Sequence, residues 1–117
     1  MSGGWRRGAA WLVASVVLMA AAGCTGPVTA EARKPVTHTV TIDATSYTPA
    51  RLTVQAGDSV VWVNKDLIPH TATAKGGSFD SKVLPAGATF RFTAAKAGGF
   101  DYACQFHPTM TGRIDVR

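Results

Sequence analysis

Arg51-Leu52-Thr53-Val54-Gln55-Ala56-Gly57-Asp58-Ser59-Val60-Val61-Trp62-Val63-Asn64 is the stretch on which the fold turns. Leu52 and Val54 alternate with Arg51, Thr53 and Gln55, a period of two that buries one face of a strand and wets the other. Gly57-Asp58 marks a reversal, because glycine accepts the backbone angles of a tight turn. Val60 to Val63 then runs without a polar break around Trp62, the β-branched and aromatic composition of a central strand.

The same period continues on both sides. Val36, His38, Val40 and Ile42 alternate with Thr37, Thr39 and Thr41; Phe90 and Phe92 alternate with Thr89, Arg91 and Thr93; Ile114 and Val116 alternate with Arg113, Asp115 and Arg117. Pro49, Gly76-Gly77, Pro85-Ala86-Gly87 and Gly98-Gly99 punctuate the runs. No stretch beyond residue 35 has a helical period. Short strands at this spacing predict an all-β, antiparallel β-sandwich over residues 36–117. A chain of 117 residues has room for one such domain.

The first 35 residues read differently. Arg6 and Arg7 precede an uncharged run from Ala9 to Ala22, shorter than the ~18–20 apolar residues of a spanning helix, so residues 1–23 are expected to be a signal peptide. Ala21-Ala22-Gly23-Cys24 resembles a bacterial lipobox, which would make Cys24 a lipidated first residue and anchor the protein to a membrane. A competing small-residue cleavage site ends at Ala30. Residues 24–35 are small, polar and Pro-containing, the composition of a tether.

The formal charge of +5 includes Arg6 and Arg7. The other basic residues are scattered among Asp and form no stripe with interleaved aromatics, which excludes nucleic acid as the expected partner. Exported proteins with two Cys can form a disulfide, but Cys24 lies in the lipobox and Cys104 in a quite different setting, so none is expected.

That setting is Cys104-Gln105-Phe106-His107-Pro108-Thr109-Met110, with Pro69-His70 upstream. The alternation Phe100, Tyr102, Cys104 turns the thiol inward at the end of a strand. His107 follows at a turn, Pro108 stiffens it, and Met110 precedes the next strand. Each residue alone has an ordinary structural reading: a buried thiol, a loop histidine, a flexible core methionine. His38, without a ligand-spaced neighbour, keeps such a reading. Together, one thiolate, two imidazoles and one thioether (Cys104, His70, His107 and Met110) are the donor set of a mononuclear blue-copper site. Cu(I) favours soft sulfur and Cu(II) favours nitrogen, so this mixed set suits a one-electron couple in which little has to move.

With these residues in view, the chain resembles small cupredoxins of the plastocyanin/amicyanin type from about Val36 to Val116. The stretches that carry the likeness are Ser46-Tyr47-Thr48-Pro49, Val54 to Asn64, Pro69-His70-Thr71, Gly77-Ser78-Phe79-Asp80 and Tyr102 to Gly112. The two-residue gap between His107 and Met110 is similar to that of amicyanins. The resemblance implies a Greek-key sandwich with one copper ion at one end, His70, Cys104 and His107 as strong ligands and Met110 as a weak axial one. It also implies supporting roles for Asn64 and Thr71, and an apolar docking patch around His107 for which Leu67, Ile68, Pro69, Phe106 and Pro108 are the candidates. Many relatives carry Asn directly after the first His; Thr71 offers a shorter side-chain tie between the ligand loops.

The expected function is single-electron shuttling by a monomeric type 1 copper protein between transiently docked redox partners, on the periplasmic or cell-surface face of the cytoplasmic membrane. The alternative is a copper carrier or sequestration protein delivering metal to an oxidase, although exposed Met-rich or His-rich sites are lacking. An enzyme is not expected, because further copper centres need paired His-x-His ligands and the chain has three His in all.

Overall fold

The computed structural model describes residues 33–117 and the isolated positions 3, 15 and 23. The expected signal segment, Cys24 and the tether up to residue 32 otherwise lie outside the described residues.

Every described element is a strand: β1 (Thr37–Asp43), β2 (Ser46–Thr48), β3 (Arg51–Val54), β4 (Ser59–Asn64), β5 (Thr73–Ala74), β6 (Thr89–Thr93), β7 (Gly98–Ala103) and β8 (Thr111–Val116). They form two four-stranded sheets, ordered β2-β1-β4-β6 and β3-β8-β7-β5. The sandwich agrees with the sequence reading, but its strand directions are mixed rather than wholly antiparallel. β1 runs parallel to β4 and β3 parallel to β8. Parallel neighbours cannot be joined by a tight turn and need a crossover. Here the chain leaves the first sheet after β2, lays β3 in the second sheet, and returns as β4 beside β1. Period-two alternation is the same for either direction, so the pattern does not carry this distinction.

The inward faces meet over Val40, Ile42, Val60 and Trp62 from one sheet and Val54, Tyr102, Ile114 and Val116 from the other, all buried. Trp62 sits at the centre, its ring 5.1 Å from Phe79, 5.6 Å from Phe90 and 5.4 Å from Tyr102. Tyr102 is buried against Tyr47, with ring centroids 4.6 Å apart and nearly edge-on. Tyr102 also pairs across the ladder with Gly112, and a Cβ at Gly112 would fall into the Tyr102 ring. The glycine is therefore a space requirement of the aromatic layer beneath Cys104.

One end of the sandwich is fastened by Asp58, which is buried. Its carboxylate accepts hydrogen bonds from Arg33 Nη2 at 2.7 Å, the Val36 N–H at 2.9 Å and the Gln55 N–H at 3.1 Å, and pairs with His38 Nε2 at 2.9 Å. His38 thus has a structural role. The Val36 N–H, the His38 ring, Arg33 and the Gln55 N–H hold the Asp58 carboxyl well below the usual carboxylate range despite its burial. The last residue reaches the same end, where the Arg117 N–H bonds Val54 O and the Arg117 carbonyl accepts from Ala56 N–H.

Two predictions follow from this packing. Gly112→Ala should destabilise the fold by about 1–3 kcal/mol, the usual cost of overpacking a filled core, measured by denaturant unfolding. Asp58 carries the opposite kind of test. Its depressed pKa contributes stability above the unfolded value of about 3.9, lost as the pH falls below it. Thermal scans should show the melting temperature dropping below about pH 4, whereas Asp58→Asn should melt lower at pH 7 with a flatter acid limb.

Candidate metal centre

The opposite end of the sandwich carries the loops that hold the expected donor residues. β7 ends at Ala103, and Cys104 follows on its inward side, buried. The Cys104 N–H donates to Met110 O at 3.1 Å, and the Met110 N–H donates to His107 O at 2.8 Å. These two bonds close the 104–110 loop across the β7–β8 hairpin, and Met110 is buried just before β8 begins.

His70 arrives from the loop after β4 and is fully buried. Its backbone exchanges two hydrogen bonds with Leu84, at 3.1 and 2.8 Å. Asn64, also fully buried, fastens this loop from behind. Its Nδ2 donates to Ile68 O at 3.0 Å and Leu84 O at 2.9 Å, and its Oδ1 accepts from the Asp66 N–H at 2.9 Å.

The loops bring three donors together. Cys104 Sγ lies 3.8 Å from His70 Nδ1 and 3.7 Å from His107 Nδ1, and donor atoms of all three residues lie within 4.8 Å of one another. With ordinary metal–sulfur and metal–nitrogen bonds of about 2.0–2.3 Å, each sulfur–nitrogen pair so spaced subtends roughly 120° at a single ion. That is the trigonal His2Cys arrangement of a blue-copper centre, for which Met110 supplies the soft axial donor type. The residues fit one copper ion.

Electrostatics prepare the sulfur. Burial pushes the Cys104 thiol up, but the Thr71 N–H, His107, His70 and the Phe106 N–H together bring it down to about 6. Thr71 stands 3.4 Å from the sulfur through its N–H and accepts the Gln105 N–H on its Oγ1 at 2.9 Å. Its carbonyl accepts the Tyr47 hydroxyl. The shorter side chain therefore still bridges the two ligand loops.

Asp66 is a site residue that the sequence does not single out. Its Oδ2 lies 2.9 Å from His70 Nε2, which leaves Nδ1 of that ring facing the sulfur. The His70 ring and the Thr45 N–H hold the Asp66 carboxyl below its ordinary value. The only sequence sign was its place four residues before His70.

His107 is half-buried and opens onto a shallow apolar groove with Ile68, Pro69, Val83 and Phe106. Leu67 is 91% exposed and Phe106 51%. Val83, at 54%, joins this surface from a third loop that sequence spacing could not bring near. Pro108 is exposed too, but it lines a neighbouring groove with Cys104, Gln105 and Lys75.

Comparison with known proteins agrees with the geometry. Residues 10–116 match the family model of the cupredoxin-like domain. The chain is similar to the amicyanin of Paracoccus versutus, with 32% identity over 82 residues, covering 66% of this chain and 62% of that protein. Among solved structures, an oxidised amicyanin variant superposes with a TM-score of 0.65 at 27% identity, covering 68% of this chain and 81% of that one. A purple cupredoxin from Nitrosopumilus maritimus gives 0.64 at 28% identity, covering 68% and 99%. A copper-containing nitrite reductase from Thermus scotoductus gives 0.67 at 30% identity, covering 77% of this chain but 24% of the enzyme. With a copper-shaped donor set at one end of an all-β sandwich, the chain belongs to the cupredoxin-like family, as a small blue-copper cupredoxin.

Proposed function

We propose that the chain is a type 1 copper protein that carries single electrons between redox partners outside the cytoplasm. The observation that supports it is the convergence of Cys104, His70 and His107 within 4.8 Å at a buried end whose apolar opening is at His107. In this reading His70, Cys104 and His107 are the strong ligands and Met110 the weak axial donor, with Asn64 and Thr71 supporting them. Bound copper supplies a one-electron couple between Cu(I) and Cu(II).

The rest is the work of the protein. Burial of Cys104 keeps water and oxidants from the thiolate. The hydrogen bond from Thr71 tunes the sulfur, and the loop closure between Cys104 and Met110 holds the donors where they are needed. The half-exposed His107 ring gives a partner the shortest approach to the site. Leu67, Ile68, Pro69 and Phe106, joined by Val83, form the docking surface at His107, with Pro108 on the adjoining groove. A shallow apolar surface of this kind suits brief, weak encounters such as redox partners make. No catalytic step is assigned.

Localisation belongs to the same proposal. Residues 1–23 direct export, Cys24 carries a lipid, and the monomeric domain works at the periplasmic or cell-surface face of the membrane. A copper carrier would share the donor set, and the first test separates the two.

Titration of the protein with Cu(II) should produce one equivalent of an intense blue thiolate-to-copper band with narrow copper hyperfine splitting, lost in Cys104→Ser. Fast, reversible one-electron reduction should accompany it; pale copper indifferent to Cys104 would favour carriage. Phe106→Ser should slow electron self-exchange between reduced and oxidised copies, read by NMR line broadening, by about tenfold, the loss expected from one anchoring aromatic. The blue band should be unchanged.

A further inference from the structure

We infer that Asp66 is the positioning residue of the site, fixing the His70 ring and joining it to the β1–β2 turn. The inference rests on the reading of His70 as a ligand. One carboxylate oxygen, Oδ2, faces both His70 Nε2 at 2.9 Å and the Thr45 N–H at 3.0 Å, while Oδ1 accepts the Leu67 N–H at 2.9 Å. Asp66 is itself held by Asn64 through its own N–H. The His70 ring is fully buried, and Asp66 is the one hydrogen-bond partner of its Nε2 among the described residues.

The turn on the far side of Asp66 is the less expected half of the linkage. Ala44 and Thr45 both adopt left-handed backbone conformations, with φ of 48° and 56°. For a β-branched residue such as Thr45 this is an outlier, and such strain persists where surrounding interactions over-determine it. Ala44 is tied by its N–H to Asp43 Oδ1 at 2.9 Å, and Thr45 by its N–H to Asp66. The turn thus presents a backbone donor to the same oxygen that orients the metal-facing histidine. A backbone donor outside both ligand loops thereby helps to hold the carboxylate that orients His70.

A carboxylate on the outer nitrogen of a ligating imidazole strengthens the inner nitrogen as a donor, and losing such a partner typically costs about 10–100-fold in metal affinity. Cu(II), the harder ion, gains more from this than Cu(I), so Asp66 holds the reduction potential down.

Two measurements test the linkage, one of them without copper. In the metal-free protein, nitrogen–proton correlation spectra of the histidine rings should show His70 as a single Nε2–H tautomer with a slowly exchanging proton. Asp66→Ala should abolish that signature, and Asp66→Asn, which keeps an oxygen acceptor but loses the charge, should weaken it. In the copper-loaded protein Asp66→Asn should raise the reduction potential; a tenfold change in the Cu(II)-to-Cu(I) affinity ratio corresponds to about 59 mV for one electron. Thr45→Gly, which keeps the N–H and removes the strain, should melt at higher temperature and leave the His70 signature intact.

An Asp66→Asn protein with an unchanged ring signature and an unchanged potential would overturn the inference, and this near-isosteric variant decides the matter even if Asp66→Ala fails to fold. A native protein that shows the His70 signature but binds no blue copper would instead refute the ligand reading, leaving the Asp66–His70 tie standing.

Discussion

The Thr71 N–H directed at the Cys104 sulfur joins two loops that are far apart in sequence, and the geometry of the site depends on that junction. One loop brings His70 from the end of β4; the other brings Cys104, His107 and Met110 between β7 and β8. Thr71 meets the second loop twice, through its N–H and through its Oγ1, and its carbonyl is held by Tyr47 from β2. A buried sulfur near a peptide N–H and two imidazoles is stabilised as thiolate before any metal arrives. The junction therefore fixes both where the sulfur is and which protonation state it prefers.

Beneath the junction lies the aromatic layer. Tyr102 precedes Cys104 by two residues, and its ring is caught between Tyr47 and Trp62, with Gly112 leaving room for it. Close-packed interiors transmit displacement rather than absorb it. The strand that delivers the sulfur is consequently as stiff as the core it grows from. A site meant to change oxidation state without changing shape gains from being built on such elements rather than on a free loop.

The sandwich and the Cys104-His107-Met110 cluster were legible because they rest on local signals, whereas the approach of His70 to that cluster is a long-range contact. Alternation placed Val40, Ile42, Val54, Tyr102, Ile114 and Val116 on inward faces, and all six are buried. The Cys104–Met110 spacing needs only one hairpin loop to bring its residues together. Direction and distance were not legible. The parallel pairing of β1 with β4 leaves no mark on a period of two. Asp66 carries no distinguishing mark in the sequence, since its meaning comes from Thr45 on a different hairpin and from the rotation of the His70 ring. Val83 reaches the His107 surface only because the loop before β6 folds back along His70 through Leu84. Each of these depends on the crossover between sheets, a non-local feature that no short window of residues contains.

The Asp58 end has a consequence of another kind. Arg33 and Val36 enter the domain there, and Arg117 lies beside Val54 and Ala56 at that same end, with the length of β4 between them and His70. At about 3.3 Å per residue, six residues of strand set the two ends some 20 Å apart. Whatever is joined to either end of the folded unit pulls on Asp58 and the strand ends around it, not on the ligand loops. The unit is mechanically a plug: handled at one end, wired at the other. A sandwich arranged in this way keeps its points of attachment and its ligand loops on separate strand ends.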